Sequence, residues 1–541
     1  MKTVAYNIVL CYNTAYKRLT NRQTNKKGVK AFGNGSFIWF FMEENLFDKT
    51  EPSPKVTLAA IDDVIREDEN NLPPAAPEVS DAPEVSDPPK RTDKFTEGSL
   101  WKNIFVFSLP LIFSQVLQVL FNMSDVAVVG KFASSDAMGS VGSTTTLVTL
   151  FTGFLIGLGA GINVKVAQFL GAKRDKDVEE TVHTSFLISL IAGAIVCVAC
   201  FFLGRSMLVL LETNAELLDG AVLYFKIYAL GMPALAVFNF ASGVLSAKGD
   251  TKRPLIYLTI SGILNVFLNL FFVIICKMQA EGVAYASIIS QYISAVLVMV
   301  RLIKQKDSCK FSFKKLKISG EKAKAVLTLG LSAGVQNALF AIANLFVQNA
   351  VNSFDKVVVN GNAAASNADS IVYNVMAAFY TACSTFIGQN LGAGKRDRIL
   401  KCYFISLAYS AGFGLVIGLF LVFFGRLFLF FFTNEEEVVV FAMERLRVMG
   451  LSYFISALVD SAIAASRGLG KSLVPTIILV LGTCVFRIVW IYTIFAYFRT
   501  IPSLYLLYAA SWIVTSTAET IYFFTVYKKL MKTSSLEHWS T

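Results

Sequence analysis

Asp125 stands about twenty residues into an apolar run, long enough to place it well inside a membrane helix, with Asn122, Met123 and Ser124 before it. A carboxylate near the centre of a bilayer costs about 2.5–3.5 kcal/mol, so an acid kept there is a functional candidate. A carboxyl group withdrawn from water can exchange a proton near neutral pH or hold a sodium ion, so one aspartate suits either cation. The competing reading puts Asp125 at the outer interface, as a cap or snorkelling group near Lys131. Asn265 and Asn269 fall on one helical face. Their amides can coordinate a cation or donate a hydrogen bond but cannot titrate, and they serve equally well as plain interhelical hydrogen bonds.

Asp460 and Arg487 also lie in apolar runs and could pair across the tenth and eleventh spans, a structural salt bridge being favoured over a substrate contact. Gln115, Gln336, Asn344 and Gln348 place amides along the first and seventh runs, where, with Phe, Met and Tyr, they suit a pocket for varied amphipathic ligands. Aromatic faces add attraction for organic cations. Lys165 and Lys226 are read as snorkelling groups near span ends. Other patterns fall away on context. Cys197 and Cys200 form a CxxC only in mid-span, with no redox fold around them, and Gly157, Gly159 and Gly161 follow no strand that a phosphate loop needs. Gly153, Gly157 and Gly161 instead make a stripe for close helix packing. Two histidines exclude multi-histidine metal centres, so no metal site and no cofactor is expected beyond a coupling proton or sodium ion.

The elements that hold these residues follow from composition. Of 541 residues 55% are hydrophobic and 16% charged, with a mean hydropathy of +0.57, the balance of an integral membrane protein. Twelve apolar runs of helical length follow Trp101, near 104–129, 139–168, 181–211, 220–246, 254–276, 282–303, 325–351, 363–389, 399–426, 437–466, 474–497 and 503–527. The expected fold is therefore all-α integral membrane, since lipid tolerates no unpaired backbone. Lys and Arg collect in alternate loops, which places both termini in the cytoplasm of a multi-pass cell-membrane protein. The net charge of +11 is thus a matter of topology, and no nucleic-acid partner is read from it.

The halves repeat. QFLGAKRD at 168–175 answers QNLGAGKRD at 389–397, and Lys248-Gly249 is matched with Arg467-Gly468, a period of about 220 residues. Each half has an even number of spans, so the two six-helix bundles should be related by an axis along the membrane normal, with a cavity between them. The expected divisions are a disordered N-terminal extension at 1–95, an N-terminal lobe at 96–303, a basic cytoplasmic linker at 304–324, a C-terminal lobe at 325–530 and a cytoplasmic tail at 531–541. The extension carries a tandem hexamer, Ala76 to Asp81 then Ala82 to Asp87. Met42, which opens a polar segment, and Met1 stand as alternative starts.

These features resemble the multidrug and toxic compound extrusion (MATE) family across 96 to 530. The matching residues are Thr96-x-Gly98, Pro110, Asp125, Val129-Gly130, the stretch from Gly388 to Arg398, Glu281 to Ala286 and Gly330 to Gln336. The resemblance implies two six-helix lobes exporting bulky, often cationic amphipaths against an inward proton or sodium gradient. It implies that Asp125 corresponds to the N-lobe acid of the DinF-like branch. Asn269 stands where the family commonly has Asp, which puts a two-carboxylate proton site in doubt. The NorM-like branch carries an acid in the tenth span about a turn from Asp460, so that role does not transfer.

The functional expectation is a cation-coupled antiporter working by alternating access, a monomer in the lipid bilayer acting on small organic cations or amphipaths. A lipid-linked oligosaccharide flippase of the same superfamily is the alternative; it needs a strongly basic cavity, and the spans hold few Arg or Lys. An enzyme is not expected, since no catalytic dyad is visible.

Overall fold

A computed structural model describes residues 94–430 and 435–537. The extension up to 93, including both alternative starts, lies outside them. Every regular element among the described residues is helical. Nine helices are long and apolar enough to cross a membrane, and two bent pairs raise the number to eleven. The first bundle contains α1 (Leu100–Phe132), α2 (Ser135–Gly171), α3 (Asp175–Leu210), α4 (Ala215–Ala229 with Met232–Ala247), α5 (Lys252–Ile275) and α6 (Ala280–Ile303). The second contains α7 (Gly320–Val351), α8 (Lys356–Gly392), α9 (Arg396–Leu429), α10 (Glu436–Gly450 with Tyr453–Gly468), α11 (Leu473–Phe498) and α12 (Ile501–Glu537). With α12, whose run of Ser, Thr and Tyr makes it the more polar span, the fold is twelve transmembrane helices in two repeated six-helix bundles.

Local chemistry sets the breaks. Pro233 sits at the start of the second half of α4, where the span bends by 44°. Pro254 and Pro475 lie in the first turns of α5 and α11. The repeated motifs are helix stops. At the end of α2, Arg174 N–H donates back to Phe169 O at 3.0 Å, and at the end of α8, Lys395 N–H donates to Asn390 O at 2.9 Å. Gly249 and Gly470 occupy the left-handed region, with φ of +94° and +83°, after α4 and α10. The equivalence in the repeat is therefore Gly249 with Gly470, at the same offset as Gln168 with Gln389, and the match of Lys248-Gly249 to Arg467-Gly468 is corrected by two positions.

The lobes meet along α2 with α7 and α8, and along α1 with α8 and α9. The glycine stripe of α2 makes this possible, because a Cβ on Gly157 would fall 2.4 Å from Gly334 N and one on Gly161 would fall 2.4 Å from Gly330 N. Gln168 Nε2 donates to Gly468 O at 3.0 Å, Gln389 Nε2 to Ala247 O at 2.8 Å, and Thr385 Oγ1 to Asn163 Oδ1 at 2.7 Å. Thr96 and Gly98, the pair that precedes α1, accept from Lys395 and Arg398 through their carbonyls at 3.0 and 3.2 Å. Two separate motifs thus form one seam, filled by Phe95, Ile104, Phe107, Phe386 and Ile387.

The basic connection is tied down more than a solvated loop would be. Phe311 is buried and stacks on His183 at 5.4 Å, while Lys322, also buried, pairs with Asp177 at 2.7 Å. Helix α7 begins at Gly320, within that connection, and α12 continues to Glu537, within the segment read as a tail. Lys165 does not snorkel: it is buried, with Nζ 3.3 Å from Gln168 Oε1 and over the Phe169 ring.

Candidate functional site

Three helices of the first bundle converge on Asp125. Its Oδ1 accepts from Asn269 Nδ2 of α5 at 2.6 Å and its Oδ2 from Ser287 Oγ of α6 at 3.3 Å. Asn269 Nδ2 also reaches Asn265 Oδ1 at 3.3 Å, and Asn265 Nδ2 reaches Ser287 Oγ at 3.4 Å. Asp125 is half-buried and turned into the bundle, with Asn265 and Asn269 buried behind it. Val128, Val129, Tyr224, Ile227, Val273 and Val283 form the apolar packing beside it. Asn269 Oδ1 is buried with no hydrogen-bond partner. The two carboxylate oxygens and the Asn265 carbonyl, held in one hydrogen-bonded cluster, are hard oxygen atoms of the kind that take a proton or an alkali cation. Just past Asn269 the helix widens into a π turn at Phe271–Ile275, a feature frequent at functional sites.

The expected pairing of Asp460 with Arg487 is not formed, and this is a correction. Arg487 is fully buried, and its Nη1 donates to Asn344 Oδ1 at 3.2 Å and its Nε to Ser511 Oγ at 3.4 Å. Two π turns, Val480–Val485 and Ile491–Phe495, flank it. The first adds a residue to the helical turn that precedes Arg487, which shifts the guanidinium from the face that regular spacing predicts. Asp460 is half-buried and makes no ion pair among the described residues.

The four amides divide. Gln336 accepts from Arg467 Nη2 at 2.5 Å, with Tyr380 on the same guanidinium, so it is engaged inside the second bundle. Gln348 accepts from Asn362 at 3.1 Å and donates to Asn352 at 2.8 Å. Asn344 is exposed on the α7 face whose Asn337 crosses to Gly153 O of the other lobe at 2.9 Å, so it borders the space between the lobes. Gln115 is half-buried on α1.

Sequence reasoning missed a polar row on α8. Asn360, Asn367, Ser370 and Asn374 share one face; Asn360 and Ser370 are exposed, and Asn367 and Asn374 half-exposed. Asn367, Ser370 and Asn374 donate only to their own helix, at 3.1, 3.0 and 2.7 Å, which leaves their other polar atoms for a ligand. Helix α2 presents exposed Thr145 and Thr149. The signal was present as polar residues at helical spacing just before and inside the eighth apolar run. Also missed were Glu519 of α12, fully buried with both carboxylate oxygens unpartnered, and the buried pair of Asp369 and Arg445, 2.5 Å apart, which Tyr453 joins through its hydroxyl.

Two repeated helical bundles, exposed polar rows on α2 and α8 and an acid lodged within one bundle define a polytopic membrane transporter. The MatE family model matches the chain twice, over residues 110–271 and 333–493, one match in each bundle. The chain belongs to the MatE family, and it is a transporter, not an enzyme. It is similar to a probable multidrug resistance protein, YpnP, of Bacillus subtilis, with 28% identity over 66% of this chain and 80% of that one. It is also similar to the probable multidrug resistance protein NorM of Thermotoga maritima, with 23% identity over 74% and 86%. A solved MATE structure in the bent conformation superposes with a TM-score of 0.76 at 18% identity, over 82% of this chain and 99% of that one. A MOP superfamily transporter from Pyrococcus furiosus superposes with a TM-score of 0.77 at 18% identity, over 82% and 100%.

Proposed function

We propose that this protein is a secondary antiporter of the cell membrane that expels amphipathic, often cationic, organic compounds, driven by a proton or sodium ion entering at Asp125. The observation that carries the reading is the cluster in which Asn269, Asn265 and Ser287 gather their polar side chains on Asp125 inside the bundle. Binding a cation there neutralises the carboxylate and ties α1 to α5 and α6. Loss of the cation leaves a charge whose burial is costly, so the two states of the site favour different packings of α1. One charge crossing a potential of 100 mV supplies about 2.3 kcal/mol before any concentration gradient is added.

Substrate occupies the gap between lobes, against Asn344 of α7, the polar row of α8 and the threonines of α2, with Gln115 at the α1 edge. Gln336 and Gln348 act behind that surface, through Arg467 and Asn362. The glycine-lined seam between α2 and α7 parts and closes as the lobes rock, and both termini lie in the cytoplasm. The multidrug resistance proteins to which the chain is similar support export of small molecules.

The test is efflux of ethidium from proteoliposomes with proton and sodium gradients imposed separately. Efflux driven by either gradient supports the reading and names the ion. Ethidium movement indifferent to both gradients refutes antiport.

A further inference from the structure

We propose that α7, α11 and α12 enclose an anion-binding site centred on Arg487. A guanidinium does not lose its proton in proteins, so Arg487 carries a permanent charge wherever the fold places it. Here it is placed fully out of solvent. Among the described residues no carboxylate lies within ion-pair distance: Asp369 is taken by Arg445, Asp460 is out of reach and Glu519 is unpartnered. The neutral contacts are incomplete as well. Nη1 and Nε meet Asn344 and Ser511, but Nη2 is buried with no acceptor. The ring faces of Tyr508 and Phe340, with centroids 4.4 and 5.0 Å from the guanidinium carbon, soften the charge without supplying an acceptor. A buried cation with neither counter-charge nor a full set of hydrogen bonds is expensive, and a single anion at Nη2 repairs both defects.

The surroundings are built for it in two respects. The π turns on either side of Arg487 break the regular ladder of α11, and such turns gather at functional sites. The three helices are also the second-lobe equivalents of α1, α5 and α6. In the first bundle that trio encloses an acid with a π turn beside it, and in the second it encloses a base with π turns beside it. The two lobes thus carry sites of opposite polarity at related positions.

Access runs past Asn344. Its side chain is exposed while its oxygen holds Nη1. An arriving anion displaces that oxygen, and the carboxamide can then rotate to donate its NH₂. The ligand is a monovalent anion small enough to sit behind α7, either a free halide or the carboxylate end of an amphipathic substrate.

Both sources are tested by binding to the full-length protein in uncharged detergent, a readout that does not depend on transport or on Asp125. In one arm sodium chloride is added over a constant sodium sulfate background while thermal unfolding is followed. In the other, dansylglycine and the uncharged dansylamide are titrated in chloride-free buffer. A rise of a few degrees with chloride assigns the site to a halide. Saturable binding of dansylglycine, at least tenfold tighter than dansylamide, assigns it to a substrate carboxylate. Arg487→Met should abolish whichever response is seen, and Arg487→Lys, which keeps the charge and loses the planar fork, should weaken it at least tenfold. A wild-type protein indifferent to both ligands, or an Arg487→Met or Arg487→Lys variant responding as wild type does, overturns the proposal.

Discussion

Gln168 and Gln389 exchange partners across the two lobes. The first donates to Gly468 O at the end of α10 and the second to Ala247 O at the equivalent end of α4. Each comes from its repeat's QxLGA motif, so one sequence element both stops a helix and latches its lobe to the other. Under the proposed rocking of the lobes these bonds form only in the state closed at this end, and so weigh on the equilibrium between states as well as on stability.

Replacing both glutamines with alanine should therefore shift the population toward the form open at this end. Losing a buried hydrogen bond and stranding its carbonyl costs about 1–3 kcal/mol, enough to change a population several-fold. Distances between spin labels at exposed Lys176 of α3 and Lys401 of α9 should gain a longer component in Gln168→Ala/Gln389→Ala. An unchanged distribution would show that the latch does not bias the states.

The seam gives the complementary outcome. Gly157→Leu places a side chain where Gly334 backbone now lies, so the closed state should be lost while each bundle still folds. Gradient-driven dye efflux should fall at least tenfold with normal membrane expression. Wild-type efflux would mean that the lobes do not close this tightly during transport.

Glu519 should be a stability liability. Both oxygens are buried without a partner, a defect of about 1–3 kcal/mol, so Glu519→Met should raise the melting temperature in detergent by a few degrees. A lower melting temperature would reveal a partner for this acid in solution.

Asp369 and Arg445 should behave in the opposite way. Both are nearly enclosed, and removing either partner strands the other. Arg445→Met should cost about 3–5 kcal/mol, and adding Asp369→Asn should restore part of that loss instead of adding to it. Additive losses in the thermal unfolding of the two single variants and the double variant would mean that the pair is not coupled.

Some of this was legible in the residues alone, and the reasons are physical. Twelve apolar runs can be little else than spans, and an acid within one is rare enough to point to Asp125. Asn265 and Asn269 followed from the resemblance to the MATE family, with helical spacing putting them on one face, and the structure brings both to it. The partner of Arg487 was not legible, because the π turn before it resets the face of α11 and no spacing rule signals it. The polar row of α8 was hidden because its residues dilute a run read only for its apolar content. Glu519 was hidden likewise, in a span whose Ser and Thr residues mask one more polar side chain. The Gly249 and Gly470 equivalence needed backbone angles, since Lys248-Gly249 and Arg467-Gly468 look alike as letters.

The central claim is that the acid held by Asn269 at 2.6 Å is where the driving cation acts. Asp125→Asn keeps the size of that side chain and one accepting oxygen but cannot carry a charge. In proteoliposomes with an imposed cation gradient, the variant should insert normally yet lose gradient-driven ethidium efflux by at least tenfold. Efflux at the wild-type rate under the same gradient would contradict the account.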